Sequence, residues 1–557
     1  MEEMLAVATI ALLTVAFTET LAPRLRIASP LILVLLGIAV SLLPATPDIV
    51  VDPHWILAGI LPPLLYGAAV SMPAVDFRRD IQAISGLAVA LVIVSTILMG
   101  LLFHALLPTL SLPAAFALGA IVSPTDAVAA SIVRDVGVSR RLTAMLEGES
   151  LLNDATALAL LRSALAVTVL DSMAVTASGV AWDFLRSLLI AIPLGWFVGW
   201  VNLRIRAHIS EAPVNTVISF TIPFVASIPA DLLGASGLVA AVVAGLVTGH
   251  GAAKFLRPEH RASDMRTWRA IELALEGVVF LIMGLEMDAI LHDLNSESLV
   301  WMGARVALIG LGAVLLIRAL YVSLQVWQIN RSAVRSRQRY DQMKEVISEI
   351  RETDPHALPV FTPQERRLWR RKRNDLRFYE SSPLGWREGA ILTWGGMRGV
   401  VTLVAAQTVP ESVPHRSLIV FIAFVVAATS LLVQGGTLEA LVKWVKPLSA
   451  NEEELERQRR SLREDLQTVS IEVLETAGMD TEALKTFQDH VSEAVTSADI
   501  ETPDAEAVRR FRVKMIQAQR REVLRARAEG KYDSQILAHA LRSLDTEQIA
   551  LETRSFE

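Results

Sequence analysis

Between Glu147 and Leu160 the chain reads EGESLLNDATALAL. Leu and Ala dominate this run, yet Glu147, Glu149 and Asp154 fall within eight positions. What those carboxylates do depends on whether the run lies in water or in lipid, and composition decides it. Of 557 residues, 52% are apolar, more aliphatic bulk than a soluble chain of this length carries. The apolar residues come in blocks of about 17–25, the length that crosses a bilayer core of roughly 30 Å. Short alternating strands of the outer-membrane barrel kind are not seen. The fold class is therefore an all-α polytopic membrane protein. A carboxylate in the hydrocarbon of such a protein is costly and faces a cavity or a partner.

Apolar run length gives about thirteen spans, at residues 4–21, 28–43, 55–71, 83–107, 113–133, 143–170, 182–203, 213–229, 236–250, 271–291, 299–325, 387–409 and 415–442. Loop charge tests this count, because Lys and Arg collect on the cytoplasmic side. The loops after spans one, three, five, seven, nine and eleven are basic, as in PRLR, DFRRD and VRDVGVSRR. Those after spans two, four, six, eight and ten, such as PATPDIVVDPH and HDLNSESL, hold no Lys or Arg. The alternation puts the N-terminus outside and the C-terminus in the cytoplasm. The first run follows Glu2 and Glu3 instead of a basic segment, so it reads as a retained helix and not as a signal peptide.

The domain layout follows. Residues 1–327 form the first part of a membrane transporter domain, 328–386 a basic cytoplasmic insert, 387–445 the last two membrane helices, and 446–557 a helical cytoplasmic tail. The insert core ERRLWRRKRNDLR suits anionic lipid headgroups; a nucleic-acid partner is not expected on a membrane-tethered loop. Gly530 reads as a helix stop in the tail. The tail is expected to pair with a second copy or to modulate the membrane part, with a regulatory ligand or protein as a possible partner. The net charge of −6 says little, and the lack of cysteine excludes disulfides and Cys-based metal or redox centres.

Three segments carry intramembrane chemistry. At about 100° per residue, Glu149, Ser150, Asn153 and Asp154 share an arc of about 140° on span six. Span five holds GAIVSPTDAVAAS, where Pro124 interrupts the helix beside Ser123, Thr125 and Asp126. Broken helices at mid-membrane expose carbonyls and helix ends that bind ions. Span twelve holds TWGGMRGVVTLVAAQ, with Arg398 among Gly395, Gly396 and Gly399. A buried arginine needs an anion, and Glu149 is the simplest partner. Arg318 and Glu276 read as members of further structural ion pairs. Oxygen ligands suit a hard monovalent cation, and a desolvated carboxylic acid also holds a proton. A site that takes either one and opens to each side in turn exchanges them. Asp154 is the expected titrating ligand, Asp126, Thr125 and Ser150 complete the oxygen shell, and Glu149–Arg398 holds the geometry.

VSPTDAVA, EGESLLNDATAL and WGGMRGVVTLVAA also resemble signature segments of the cation/proton antiporter family, which comprises bacterial sodium/proton antiporters of the NhaP type and eukaryotic sodium/hydrogen exchangers. The resemblance covers all thirteen spans in order. It implies inverted repeats, a broken-helix core, a dimerisation domain, homodimers and an elevator-like motion in the cytoplasmic (inner) membrane. It places the family's Asn-Asp pair at Asn153 and Asp154, as in electroneutral members, its Thr-Asp at Thr125 and Asp126, its Glu-Ser at Glu149 and Ser150, and its arginine at Arg398. No cofactor is expected; sodium or potassium and the proton are cargo. One position departs: LPPLLYGAA has Gly67 where many relatives carry an acid. Rival readings are a potassium/proton antiporter and a transporter-like membrane sensor signalling through its tail. An enzyme is not indicated, since no metalloprotease helix, nucleophile elbow or phosphate loop is present.

Overall fold

The computed structural model describes residues 2–25, 27–43, 52–170, 177–294, 296–353, 362–447, 452–476 and 503–553. Every regular element among them is helical. In chain order they are α1 (Glu2–Leu25), α2 (Ser29–Ser41), α3 (Leu61–Ser71, after a π-helical turn at Trp55–Ile60), α4 (Ala74–Arg79), α5 (Ile81–Ser85), α6 (Val92–Leu106), α7 (Leu112–Val122), α8 (Val128–Asp135), α9 (Arg140–Leu170) and α10 (Ala177–Arg206). There follow α11 (Ala212–Leu232), α12 (Gly237–Phe255), α13 (Pro258–Leu285), α14 (Met287–Asp293), α15 (Glu297–Thr353), α16 (Pro363–Ser381), α17 (Trp386–Trp394), α18 (Val400–Gln407), α19 (Arg416–Ser430), α20 (Gly436–Val445), α21 (Glu452–Thr476), α22 (Pro503–Glu529) and α23 (Ser534–Thr553).

Of the expected spans, seven coincide with helical stretches that are by themselves long and apolar enough to cross a bilayer: Ile81–Leu106, Arg140–Thr168, Trp182–Arg206, Ala212–Leu232, Gly237–Phe255, Glu297–Gln342 and Arg416–Val445. The others differ for local reasons. Spans one and two are a bent pair, and Trp55–Ser71 and Leu112–Val122 are short. Span ten is divided between α13, which carries charges at Glu272 and Glu276, and the short α14. Span twelve is divided between α17 and α18.

Contacts divide the chain into two units. The first comprises Met1–Gly251, Ser263–Val334 and Ser382–Ser449. At its centre lies α7, in which Ala117, Leu118, Ala120, Ile121 and Val122 are at 0% exposure and Gly119 is buried. Its small side chains let α6 and α9 approach closely, which is how membrane helices gain packing without a hydrophobic drive. Ser111 caps α7, accepting from the Ala114 amide at 3.4 Å, with proline in the first turn. The helix then stops before Pro124, which has no amide to donate and disfavours helix in the residue before it.

The second unit comprises Ala252–Ala262, Arg335–Ser381 and Ala450–Glu557. Leu462, Ile516, Val523, Ala526, Ile536, Leu537 and Leu541 form its core. Asp545 is gripped by Arg261 and by Arg520, the latter at 2.8 Å. Gly530, at φ +62°, ends α22, and the Lys531 amide bonds back to the Ala526 carbonyl at 3.0 Å. This is the left-handed stop that favours glycine.

Candidate functional site

The polar face of α9 is built into a hydrogen-bonded chain. Glu149, 1% exposed, receives both terminal nitrogens of Arg318, with Nη2 at 2.8 Å from Oε2. Arg318 Nε donates to the Leu392 carbonyl at 2.9 Å. The Thr125 hydroxyl donates to Glu149 Oε1 at 3.0 Å, and Asn153 Nδ2 donates to Thr125 Oγ1 at 2.7 Å and to the Thr125 carbonyl at 3.0 Å. The expected pair Glu149–Arg398 is thus replaced by Glu149–Arg318. Both arginines are fully buried, but only Arg318, reaching in from α15, presents a two-pronged fork to the carboxylate. Sequence reading placed Arg318 among structural ion pairs without identifying its partner, because nothing in the spacing links residues so distant in the chain.

Arg398 does something else. Spans five and twelve both break, α7 ending at Val122 with α8 starting at Val128, and α17 ending at Trp394 with α18 starting at Val400. The two breaks meet where the Asp126 amide bonds the Met397 carbonyl at 2.7 Å. Arg398 Nε donates to the Val122 carbonyl at 3.0 Å, Nη1 bonds the Gly396 carbonyl, and its own amide donates to Ser430 Oγ at 2.9 Å. Asp126 takes the opposite ends. Its carboxylate accepts from the Val128 amide at 3.1 Å and from the amides of Ala127 and Val400. A cation thus sits on the carbonyl end of one half-helix, and an anion sits on the amide ends of two others. That is the arrangement helix dipoles favour. The glycines make room for it: a Cβ at Gly399 would fall on the Asp126 carboxylate, and one at Gly396 on the Arg318 guanidinium. Gly395 is the C-cap of α17, its amide bonding the Ile391 carbonyl at 2.7 Å.

Asp154 stands apart from both networks. It is 5% exposed and lies within Coulombic reach of Asp126. No hydrogen bond or ion pair to its carboxylate is found among the described residues. Beside it in sequence, Ser150 donates to the Glu147 carbonyl at 3.1 Å, which leaves the hydroxyl oxygen able to act as a ligand. Asn153 Oδ1 is buried and accepts nothing. Thr125, expected as a ligand, has its hydroxyl committed to Glu149 and Asn153, and Asp126 is committed to backbone amides.

Two further residues escaped the sequence reading. Ser430 donates to Gln434, and Gln434 Nε2 donates to the Trp394 carbonyl at 2.8 Å, tying the last span to the break of span twelve. The available signal was a glutamine before Gly435 and Gly436 in an otherwise apolar run.

Comparison with known proteins gives the family and the fold. Residues 8–444 match the family described as sodium/hydrogen exchanger, transmembrane. An uncharacterized Na(+)/H(+) exchanger of Escherichia coli (strain K12), YjcE, is 26% identical over 549 residues, 92% of each chain. A sodium, potassium, lithium and rubidium/H(+) antiporter of Bacillus pumilus (strain SAFR-032) is 32% identical over 268 residues, 46% of this chain and 39% of that one. The sodium proton antiporter MjNhaP1 from Methanocaldococcus jannaschii shares the fold, with a TM-score of 0.57 at 18% identity over 80% of this chain and 99% of its own. Family and fold are those of multi-pass membrane transporters and not of enzymes. The match to residues 8–444 takes in both broken spans and the polar face of α9, and the chain belongs to the transmembrane sodium/hydrogen exchanger family.

Proposed function

We propose that this protein exchanges a monovalent cation, sodium first, for a proton by alternating access. The observation that carries the reading is Asp154: a nearly buried carboxylate without a donor among the described residues, beside two half-helix breaks whose own charges are already matched. A carboxylate so placed is unstable alone in a medium of low dielectric. It is stabilised by a proton or by a cation, and one occupant excludes the other. Ser150 Oγ and Asn153 Oδ1 are the oxygens left to complete a hard-cation shell. Asp126 and Arg398 fix the crossing, and Thr125, Glu149 and Arg318 fix the face of α9 against it. With a neutral Asn153 before Asp154, one carboxylate turns over per cycle. One cation then moves against one proton, an electroneutral exchange.

The same reading gives thirteen crossings related as inverted repeats, a homodimer in the inner membrane, the N-terminus outside, and both the basic insert and the tail in the cytoplasm. The insert would rest on anionic lipid and the tail would modulate transport. Potassium is the second reading for the cation, favoured by the Bacillus pumilus relative whose name includes it.

The test is proton flux in sealed everted vesicles, with sodium, potassium and lithium added separately across a range of pH. Wild type is expected to move protons on cation addition and Asp154→Asn to move none. Absence of flux with every cation in wild type would falsify the antiport reading. The ranking of ions decides sodium against potassium.

A further inference from the structure

Gly67 of α3 faces α13. A Cβ at Gly67 would lie 2.5 Å from Glu272 Oε1, 3.1 Å from Glu272 Cγ and 3.0 Å from the Trp268 ring. The missing side chain is therefore space that the Glu272 carboxylate occupies. Trp268 walls this space and is itself fixed. Its Nε1 donates to Ser219 Oγ at 2.9 Å, and its ring packs on Tyr66 with centroids 5.0 Å apart.

Glu272 Oε1 is buried and accepts no hydrogen bond, and no ion pair involves this carboxylate among the described residues. A buried acceptor without a donor is destabilising, so the residue contributes nothing visible to stability. Its surroundings suggest another use. Glu272 lies within Coulombic reach of Arg134 at the end of α8, of Glu147 on α9 and of Arg269 on its own helix. One helical turn further along α13, Glu276 lies within reach of Glu272, Glu19 and Asp126. The two acids thus link the basic end of α8 and α9 to the broken-helix crossing next to Asp154.

The geometry points to Glu272 as a positioning and specificity-determining residue: its carboxylate, admitted by Gly67, draws the cation toward Asp154 and supplies from α13 the acid that α3 lacks. This rests on the antiport reading for its transport consequence, and on cation binding alone for its physical content. One unit charge acting over roughly 10–20 Å at an effective dielectric constant near 20 changes affinity by a factor of about 4 to 16.

Three variants decide it. Glu272→Gln removes the charge, Glu272→Asp keeps it, and Glu272→Ala with Gly67→Glu moves it to α3. Each is measured at alkaline pH for the KM and maximal rate of sodium- and potassium-driven proton flux. The midpoint of sodium-dependent thermal stabilisation in detergent is measured in parallel, since a ligand that binds the folded state raises its stability by mass action. Glu272→Gln is expected to raise KM and the midpoint about 4- to 16-fold at nearly unchanged maximal rate. Glu272→Asp and the relocated acid should recover most of that. Unchanged KM and midpoint in Glu272→Gln overturns the proposal. So does a fall in maximal rate at constant KM. If wild type carries no cation-driven flux, the antiport reading fails by itself, and the thermal midpoints of wild type and Glu272→Gln then decide the role of Glu272 alone.

Discussion

Replacing Arg318 by Met separates the two arginines of the membrane core. The change keeps an unbranched apolar stem and removes the charge. It deletes the fork on Glu149, one arm of which spans 2.8 Å, and the bond to the Leu392 carbonyl at 2.9 Å. Glu149 is then left at 1% exposure with the Thr125 hydroxyl, at 3.0 Å, as its one donor among the described residues. Breaking a buried pair on one side in this way costs about 3–5 kcal/mol, whereas replacing both partners by neutral groups is often close to neutral. Glu149→Gln should therefore relieve most of the damage that Arg318→Met causes, with a coupling energy of about 3 kcal/mol between them. Arg398→Met, which loses carbonyl partners and no direct carboxylate bond, should couple to Glu149→Gln by less. The assay is a double-mutant cycle on reversible unfolding in mixed detergent micelles. Additivity of Arg318→Met and Glu149→Gln to within about 0.5 kcal/mol, the behaviour of sites that do not touch, would show that the fork contributes nothing and that the reasoning is wrong.

Two simpler substitutions test the glycines. Gly399→Ala puts a methyl group where the Asp126 carboxylate lies; we expect a loss of about 1–3 kcal/mol, as for overpacking, together with near-complete loss of vesicle proton flux. A variant with wild-type stability and flux would mean that the crossing is not tight. In the tail, Gly530→Ala forces a Cβ into a φ of +62° and should cost about 1 kcal/mol. Its readout is earlier thermal unfolding of the purified full chain, and an unchanged or raised melting temperature would contradict the capping role of Gly530.

What the sequence disclosed and what it hid divide along one physical line. Periodicity and proline act locally, so the polar face at Glu149, Ser150, Asn153 and Asp154 and the break at Pro124 could be read from residues a few positions apart. Partners cannot be read that way. Any buried arginine would satisfy a buried carboxylate in principle, and the choice between Arg398 and Arg318 is made by helix packing. Competition hides more. Thr125 and Asp126 have the right atoms for a cation shell, but the fold commits the first to Glu149 and Asn153 and the second to amides left bare by two helix breaks. The span count shows the same limit from the other side, since run length registers apolar residues and is blind to where a helix is cut. In the sequence Gly67 reads only as a missing acid. Its meaning needed the third dimension, because Glu272 fills the space from another helix.

The bond between Glu149 and Arg318 joins residues 169 positions apart, which has a consequence for how the protein is made. At about 5–20 residues per second, roughly 10–30 s pass between the synthesis of the two. During that interval span six holds a carboxylate whose ion-pair partner has not yet been translated, at an insertion cost of a few kcal/mol if it enters lipid charged. Biogenesis therefore has an enforced waiting period, in which the polar face of α9 has to be kept out of lipid until α15 arrives. A chain that ends before Arg318 therefore carries a membrane carboxylate whose fork of donors never comes.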